Sequence, residues 1–356
     1  MSLTYIPIND YKNIGGPTTF LSNLAKYFDQ QGVEYSTDNH NESKSILFPI
    51  EYDTKILKDY KKTKRPVIQR LDGLVGLPWQ TFKGMNHFFL KTRYEYGWLG
   101  LKKHTRFMLD MIKIYNIYNN YSDHIIFQSQ YCKNLCFDML HELPKDKYSV
   151  IHNGVHNDIF FPSIKKSLSN TPTFIMTGRF RREDMILPAL DALDLLQESY
   201  NFTLKLIGPI EKDSISNELK KRSYIIEYGS LNSHEIANEL RKADIYIFLS
   251  LNAPCPNALL EAISSGLPIV SYDYGSVKEL LSFNTNLIAS VSESRNPLIK
   301  GGQHLDHLLL MEKLKDSLDR FNMHKEIALR NSNNFNFDKC GDKYLSTIKN
   351  LLSSNL

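Results

Sequence analysis

The segment Ala253–Leu280, APCPNALLEAISSGLPIVSYDYGSVKEL, carries the strongest local signal of the chain. It follows the apolar run Ile245–Leu249, whose length fits a buried strand, and a proline-rich loop separates the two. The apolar spacing after Asn257 predicts a helix, and Gly266 to Pro268 predicts its end and the start of another strand. A helix that begins at the carboxyl end of a strand directs free backbone N–H groups at that edge, which favours an anion such as a diphosphate.

Two interpretations of this segment compete. In the functional one, the amides of Asn257, Ala258 and Leu259 bind the anion, and the carboxylate of Glu261, one turn later, accepts hydrogen bonds from ribose hydroxyls. In the structural one, the segment is an ordinary helix-and-strand unit, and Glu261 is a solvated helix residue. Composition alone favours the structural interpretation.

The bulk properties describe an ordinary globular protein. A chain of 356 residues predicts two domains, and 42% hydrophobic with 23% charged residues excludes a disordered chain. Four cysteines without metal-ligand spacing indicate reduced thiols, and no histidine pair has the spacing of a zinc site. Since the longest apolar runs are strand-sized and the first residues lack the pattern of a signal peptide, we expect a cytoplasmic protein.

The second half of the chain alternates short apolar runs with segments of helical period. Such alternation predicts a doubly wound parallel sheet, in which ligands bind at the carboxyl ends of the strands. Ser233 is the expected cap of one helix. The predicted strands are 174–177, 203–207, 224–227, 245–249 and 268–272, and the predicted helices are 185–196, 215–219, 233–242 and 257–265.

The first half has a weaker pattern of the same kind. It predicts a helix at 21–29, a long helix at 92–120, and strands at 67–71, 124–128 and 149–152. A polar stretch, Ser163–Pro172, is the expected linker. We therefore predict an N-terminal domain 1–167, a C-terminal domain 168–335 and a C-terminal helix 336–356.

Positive charge is concentrated in the first half. Residues 1–167 contain 22 Lys and Arg against 16 Asp and Glu, and residues 168–356 contain 21 against 23. One run supplies much of the excess: Lys55, Lys58, Lys61, Lys62, Lys64 and Arg65. It indicates either a solvated helix face or attraction to anionic lipid, polysaccharide or nucleic acid, and the sequence does not separate these two.

Ala253–Leu280 resembles the donor-site signature of the retaining glycosyltransferase family four. The resemblance implies an α/β protein with the GT-B fold, in which two Rossmann-like doubly wound domains face each other and a C-terminal helix crosses back to the first. Other parts of that family's pattern follow in the same order and cover nearly the whole chain: Gly15-Gly16-Pro17, Ser129–Leu135, Val150–Val155 with Phe161-Pro162, Thr177-Gly178-Arg179, Gly208-Pro209 and Tyr228-Gly229.

The resemblance implies a role for each matching residue. Glu261 would bind the donor ribose, and Arg179 would hold the diphosphate together with the amides of Asn257, Ala258 and Leu259. Gly15 and Gly16 would let the first domain approach the phosphates, and Gly208 and Gly229 would approach the base. No cofactor or metal ion is needed, because the helix start and Arg179 neutralise the leaving diphosphate.

Three positions depart from the family. The family pattern has two glutamates, and the first of these positions is Ala253 here. The family also has a lysine after the Gly-Arg element, and that position is Asp184. Arg181 or Arg182 could supply the missing positive charge, and a surface role for these arginines has equal weight. The usual histidine after the buried strand is replaced by Gln69–Gly73. There Arg70 or Asp72 could face the cleft, and a turn-forming aspartate is the alternative. We count Asp72 with Arg179 and Glu261 as the candidate catalytic residues.

The sequence thus predicts a metal-independent retaining glycosyltransferase that moves a sugar from a nucleotide-diphosphate sugar to a glycan, lipid or other hydroxyl acceptor. Expected partners are the nucleotide sugar, a glycan or lipid-linked acceptor, and a membrane contacted peripherally through the basic half. One alternative is a nucleotide-sugar-binding protein that has lost catalysis. Another is a DNA-modifying glucosyltransferase, although the lack of basic motifs interleaved with aromatics argues against nucleic acid.

Overall fold

The computed structural model describes residues 2–10, 16–72, 109–110, 112–163, 167–250, 253–293 and 303–354. The chain forms two compact units. The first contains Met1–Gly154 and Asp338–Leu356, and the second contains Val155–Ser294 and Gln303–Phe337. Val155 belongs to the second unit because its N–H donates to Phe335 O and its carbonyl accepts from Phe337 N–H, at 2.8 and 2.9 Å. The segment predicted as a linker therefore begins inside the second unit.

The first unit contains a parallel sheet of six strands in the order β2-β1-β3-β4-β5-β6. Its helices begin with α1, in which buried side chains at 21, 24 and 28 recur with helical period. The strands are β1 Thr4–Tyr5, β2 Tyr35–Ser36, β3 Ile46–Pro49, β4 Val67–Leu71, β5 His124–Phe127 and β6 Tyr148–Val150. The helices are α1 Gly16–Gln30, α2 Thr54–Lys62, residues 112–120, and α3 Gln130–Met139.

A C-terminal helix, α11 Phe337–Ser354, completes the first unit. It packs closely on α1 at Gly341, where a Cβ would lie 2.5 Å from the Tyr27 ring. The Tyr27 hydroxyl donates to Asp342, one residue further along α11. The predicted return of a C-terminal helix to the first domain is therefore confirmed, and the helix begins at Phe337, one residue after the predicted start at 336.

The second unit contains another six-stranded parallel sheet, in the order β12-β11-β10-β7-β8-β9. A short antiparallel pair, β13 Ser292–Glu293 with β14 Gln303–His304, accompanies it. The strands of the sheet are β7 Thr173–Thr177, β8 Thr203–Ile207, β9 Ile225–Gly229, β10 Ile245–Phe248, β11 Ile269–Tyr272 and β12 Ile288–Ala289. The helices are α4 Leu187–Leu196, α5 Asp213–Leu219, α6 Ser233–Lys242, α7 Asn257–Ser264, α8 Val277–Leu280, α9 His307–Asp319 and α10 Phe321–Asn331.

Both faces of this second sheet are covered by apolar side chains. Neighbouring residues of one strand belong to different clusters: Ile245 and Ile247 pack in one, and Tyr246 and Phe248 in the other. Period-two alternation between two apolar layers is what a parallel sheet requires when helices cover both of its faces. The predicted pair of doubly wound sheets is confirmed.

The order of the strands sets where a ligand can bind. From β7 the chain adds β8 and β9 on one side, and it then returns to add β10, β11 and β12 on the other. The switch point therefore lies between β7 and β10, and the loops that leave their carboxyl ends diverge there. Such a crevice is the usual ligand site of an open α/β sheet.

Local details differ from the sequence predictions. The cap of α6 is Asn232, not Ser233; the Asn232 side chain accepts from the Glu235 N–H at 3.0 Å, and Glu235 accepts from the Asn232 N–H at 2.8 Å. This reciprocal capping box satisfies two amides, whereas a lone serine cap would satisfy one. Strand β9 runs two residues past its predicted end, to Gly229. Most of the predicted helix 92–120 lies outside the described residues, and 109–110 and 112–120 are helical.

Candidate functional site

Three glycines lie side by side at the carboxyl ends of β7, β8 and β9. The Gly178 N–H donates to Ile207 O at 3.0 Å, and the Gly208 N–H donates to Gly229 O at 2.6 Å. A Cβ on Gly208 would lie 1.7 Å from the Gly178 carbonyl oxygen, and the φ of Gly208 is +129°. Only glycine fits such a position. The predicted Gly208 and Gly229 are thus brought together beside Gly178, with their backbones exposed to whatever binds at this edge.

Arg179 follows Gly178 and extends from the end of β7. Its Nε and Nη2 lie 2.8 and 2.6 Å from the Oε1 of Glu211, and its side chain is 60% exposed. Arg181 contacts the other oxygen of the same carboxylate at 3.4 Å. The hydrogen bond from Arg179 lowers the pKa of the Glu211 carboxyl. The edge therefore presents two exposed guanidinium groups that share one anionic partner.

The helix α7 begins at the adjacent strand end, after β10. It has no side-chain cap at Pro256. The N–H groups of Leu259 and Leu260 both donate to the Pro256 carbonyl, at 3.1 and 3.2 Å. The expectation of a free amide at Leu259 is therefore wrong, because the first turn tightens onto Pro256. In the part of the chain that the structure describes, the Ala258 N–H has no hydrogen-bond partner.

Glu261 lies one turn into α7 and is half-buried. Burial raises the pKa of its carboxyl to about 7, since protein atoms replace the water that would stabilise the charge. Within the described ranges no group donates a hydrogen bond to this carboxylate. A carboxyl group with a displaced pKa and unused acceptors, at the switch point of a sheet, is typical of a functional site.

A hydrogen bond between β7 and β10 connects the two halves of the site. The hydroxyl of Tyr246 lies 2.8 Å from Thr177 Oγ1, next to Gly178 and Arg179 in the chain. Burial and the charge of Glu261 both raise the pKa of Tyr246. Glu261 and the end of β7 therefore both lie near Tyr246.

The departures from the family pattern have local explanations. Ala253 is half-buried, and its carbonyl accepts from Ser276 Oγ at 2.9 Å, so its backbone shapes the loop before α7. Asp184 accepts from Arg182 Nε at 2.9 Å. Arg182 thus forms an ion pair with Asp184, whereas Arg181, like Arg179, contacts Glu211.

The candidates of the first unit have different surroundings. Gly15 lies outside the described residues, and Gly16, the first residue of α1, is exposed with no atom within 4 Å of a Cβ placed on it. Asp72 follows β4 and forms an ion pair with Arg70. Arg70 is buried, and its guanidinium does not reach solvent. Three further groups surround its guanidinium: Tyr344 at 3.1 Å, Asn153 at 2.8 Å and the Phe20 ring at 3.8 Å.

Two contributors to the site were not predicted. Glu211 lies two residues beyond Gly208-Pro209, and nothing in its spacing marks it as the partner of an arginine 32 residues earlier in the chain. The Thr177–Tyr246 contact joins two strands that are distant in sequence. Arg181 could have been chosen over Arg182, because alternation about an apolar Phe180 puts Arg179 and Arg181 on one side.

Residues 160–296 match the family model of glycosyl transferases group 1. The amylovoran biosynthesis glycosyltransferase AmsK of Erwinia amylovora is 25% identical over 156 residues, which are 40% of this chain and 38% of that protein. The putative teichuronic acid biosynthesis glycosyltransferase TuaC of Bacillus subtilis is 25% identical over 114 residues, 32% of this chain and 28% of that protein. The chain thus spans only about a third of the length of these curated relatives.

Solved structures resemble the whole chain. Anabaena Alr3699/HepE, in complex with UDP and glucose, has a TM-score of 0.65 at 13% identity and covers 97% of this chain and 98% of its own. A glycosyltransferase from Rickettsia africae ESF-5 has a TM-score of 0.60 at 18% identity, with 96% and 84% covered. With the two doubly wound sheets and the returning helix, these likenesses define a protein of the GT-B fold.

The matches to the family model and to the curated relatives refine that class. Residues 160–296 thus match glycosyl transferases group 1, the family of the predicted resemblance, and part of the chain is distantly similar to bacterial polysaccharide-biosynthesis glycosyltransferases. None of the described helices combines the length and apolarity needed to cross a bilayer. In the described ranges no group of three or more His, Cys, Asp or Glu residues is arranged to hold a metal ion.

Proposed function

We propose that this protein is a retaining glycosyltransferase that moves a sugar from a nucleotide-diphosphate sugar to a hydroxyl acceptor. One observation carries the proposal. At the switch point of the second sheet, the Arg179 guanidinium lies two residues after Thr177, at the end of β7. The Glu261 carboxyl on α7, which accepts no hydrogen bond from the described residues, lies near Tyr246, the hydrogen-bond partner of Thr177. A cation for phosphate beside an acceptor for ribose hydroxyls is the pair of groups that a nucleoside diphosphate needs.

In this proposal the nucleotide lies along the carboxyl edge of the second sheet. Arg179 and the Ala258 amide bind the diphosphate, Glu261 binds the ribose, and the base approaches Gly208 and Gly229, where backbone is exposed. The bond from the Leu259 N–H to the Pro256 carbonyl closes the first turn, beside the Ala258 amide. Since HepE is described in complex with UDP and glucose, UDP-glucose is the first donor to test.

The protein's contribution to the chemistry is then mainly electrostatic. As the bond between sugar and diphosphate breaks, negative charge develops on the leaving phosphate, and a preorganised guanidinium and helix start stabilise it. Retention follows from front-face attack, in which the leaving phosphate accepts the proton of the acceptor hydroxyl. No protein nucleophile is required for this path, and a metal ion is not needed to neutralise the diphosphate.

The acceptor is proposed to be a glycan or a lipid-linked glycan, because the curated relatives are named for polysaccharide biosynthesis. We assign the acceptor to the first unit, with Asp72 as the residue to test. Lys55, Lys58 and Lys62 of α2 are exposed, which suits peripheral contact with an anionic membrane that carries such an acceptor.

The test is a transfer assay with UDP-glucose and a panel of glycan acceptors. Arg179→Ala and Glu261→Ala should each lower turnover by about tenfold or more, because each removes a charge-assisted contact to the donor. Lys221→Ala is a matched control, since Lys221 is an exposed cation of the same unit whose partner among the described residues is Glu218. Wild-type turnover in Arg179→Ala or Glu261→Ala would contradict the proposal.

A second candidate, a nucleotide-sugar-binding protein without catalysis, is favoured by Ala253 alone. That position carries a carboxylate in the family pattern and here offers only a carbonyl, which Ser276 already occupies. Calorimetry separates the candidates. Donor binding without transfer or hydrolysis would support the binding protein, and multiple turnovers would support the enzyme.

A further inference from the structure

The residues after β7 form a short extended segment that pairs with the loop after β8. The Phe180 N–H donates to Pro209 O at 3.0 Å, and the Glu211 N–H donates to Phe180 O at 3.1 Å. The Phe180 side chain is 2% exposed and packs in the core of the second unit. Because side chains alternate along extended backbone, Arg179 and Arg181 project on the side opposite to Phe180.

The guanidinium groups of both arginines contact the same carboxylate, that of Glu211. Arg179 donates twice to one oxygen of Glu211, and Arg181 lies 3.4 Å from the other oxygen. Two guanidinium groups this close would repel each other, and a carboxylate between them removes that repulsion. One carboxylate nevertheless leaves a net charge of +1 and several unused N–H donors in a group that is about half exposed.

Arg182 has a different arrangement, although it is the next residue. It donates to Asp184 at 2.9 Å, so its charge is balanced within its own turn of chain. Arg181 and Arg182 have similar exposure, 56% and 47%. They therefore differ in the partner they have and not in their accessibility, which makes Arg182 a matched control for Arg181.

We propose that Arg181 is the second cation of the diphosphate site, and that Glu211 is a resident anion which the diphosphate replaces. This inference rests on the proposed function and names the residue that supplies the charge missing at Asp184. A diphosphate offers both guanidinium groups forked acceptor pairs, which one carboxylate cannot do. Glu211 keeps the two arginines oriented in the empty site and competes with the incoming anion.

The experiment is calorimetric titration of the full chain at constant ionic strength, with inorganic pyrophosphate and with UDP. Arg181→Gln should weaken the binding of both ligands about tenfold, the loss of one charge-assisted contact, and Arg182→Gln should stay within about twofold. Glu211→Gln should strengthen pyrophosphate binding by about threefold or more, since it removes the competing charge. Thermal unfolding of each variant checks that these exposed substitutions leave the fold intact.

Two results would overturn the inference. In the first, Arg181→Gln matches Arg182→Gln while Arg179→Gln still weakens pyrophosphate, which would make Arg181 a surface residue. In the second, Glu211→Gln weakens pyrophosphate binding, which would make Glu211 a support and not a competitor. Failure of the proposed function has a different signature. There UDP binds no more tightly than pyrophosphate and is unaffected by Glu261→Gln, while the effect of Arg181→Gln on pyrophosphate persists.

Discussion

Arg70 and Arg179 lie at the carboxyl edges of two similar parallel sheets, yet their surroundings are opposite. Arg70 is 1% exposed, and Asp72, Tyr344, Asn153 and the Phe20 ring surround its guanidinium. The Arg179 side chain is 60% exposed, and among the described residues it contacts one partner, Glu211. A guanidinium whose donors are satisfied by the protein stabilises the fold, whereas one with unused donors is available to a ligand. We therefore expect a structural role for Arg70, and the proposed role of Arg179 is to bind a ligand.

The largest effect that tests this comparison is on stability. Arg70→Ala should lower the free energy of unfolding by about 3–5 kcal/mol, because it leaves Asp72 without its cation and removes a link between β4 and α11. Arg179→Ala should change it by less than about 0.5 kcal/mol, as expected of an exposed ion pair. Denaturant unfolding of both variants measures the difference. Equal stability of the two variants would contradict the different roles inferred for Arg70 and Arg179.

The second prediction also concerns the free energy of unfolding. Replacing the carboxyl of Glu261 should raise it, whereas replacing Arg70 should lower it. The pKa of this carboxyl is raised from 4.5 to about 7. Its contribution to the free energy of unfolding is therefore fully present below pH 4.5, and it is lost as the pH rises through 7 and the buried carboxyl ionises. Glu261→Gln should therefore raise the free energy of unfolding of the empty protein at pH 8 by about 2 kcal/mol, a value reduced for its partial exposure.

The pH dependence provides the control for that variant. At pH 4.5 the wild-type carboxyl is largely protonated, so Glu261→Gln and the wild type should have nearly equal stability. Thermal unfolding at both pH values measures the change. If Glu261→Gln is less stable than the wild type at pH 8, the Glu261 carboxylate stabilises the fold, which would contradict its role as an unsatisfied ligand-binding group.

Much of the second sheet could be predicted because its strands are short apolar runs separated by clear helical periods. Strand Thr203–Ile207 and helix Ser233–Lys242 have the predicted bounds. Helix α1 begins at Gly16, five residues before the predicted Leu21, since Thr18 and Thr19 obscure the apolar period at its start. The first half has shorter strands, and two of them, of two residues each, give no periodic signal.

The site could be predicted only in part. Glycines and the start of α7 have local signatures, so the sequence could place Gly208 and Gly229 at strand ends and Glu261 one turn into the helix. Residues that become partners only in the folded protein have no such local signature in the sequence. The pairing of Arg179 with Glu211, the bond from Leu259 to Pro256, and the burial of Arg70 all depend on contacts that spacing does not encode.

The most direct measurement is the number of protons released when UDP binds at pH 7, determined by calorimetry in buffers of different ionisation enthalpy. If ribose hydroxyls donate to Glu261, its carboxyl, half-protonated near pH 7 in the empty site, must ionise on binding. The wild type should release about half a proton more than Glu261→Gln, and the variant should bind UDP about tenfold more weakly. Equal proton release and equal affinity would contradict the assignment of the donor site to the carboxyl edge of the second sheet.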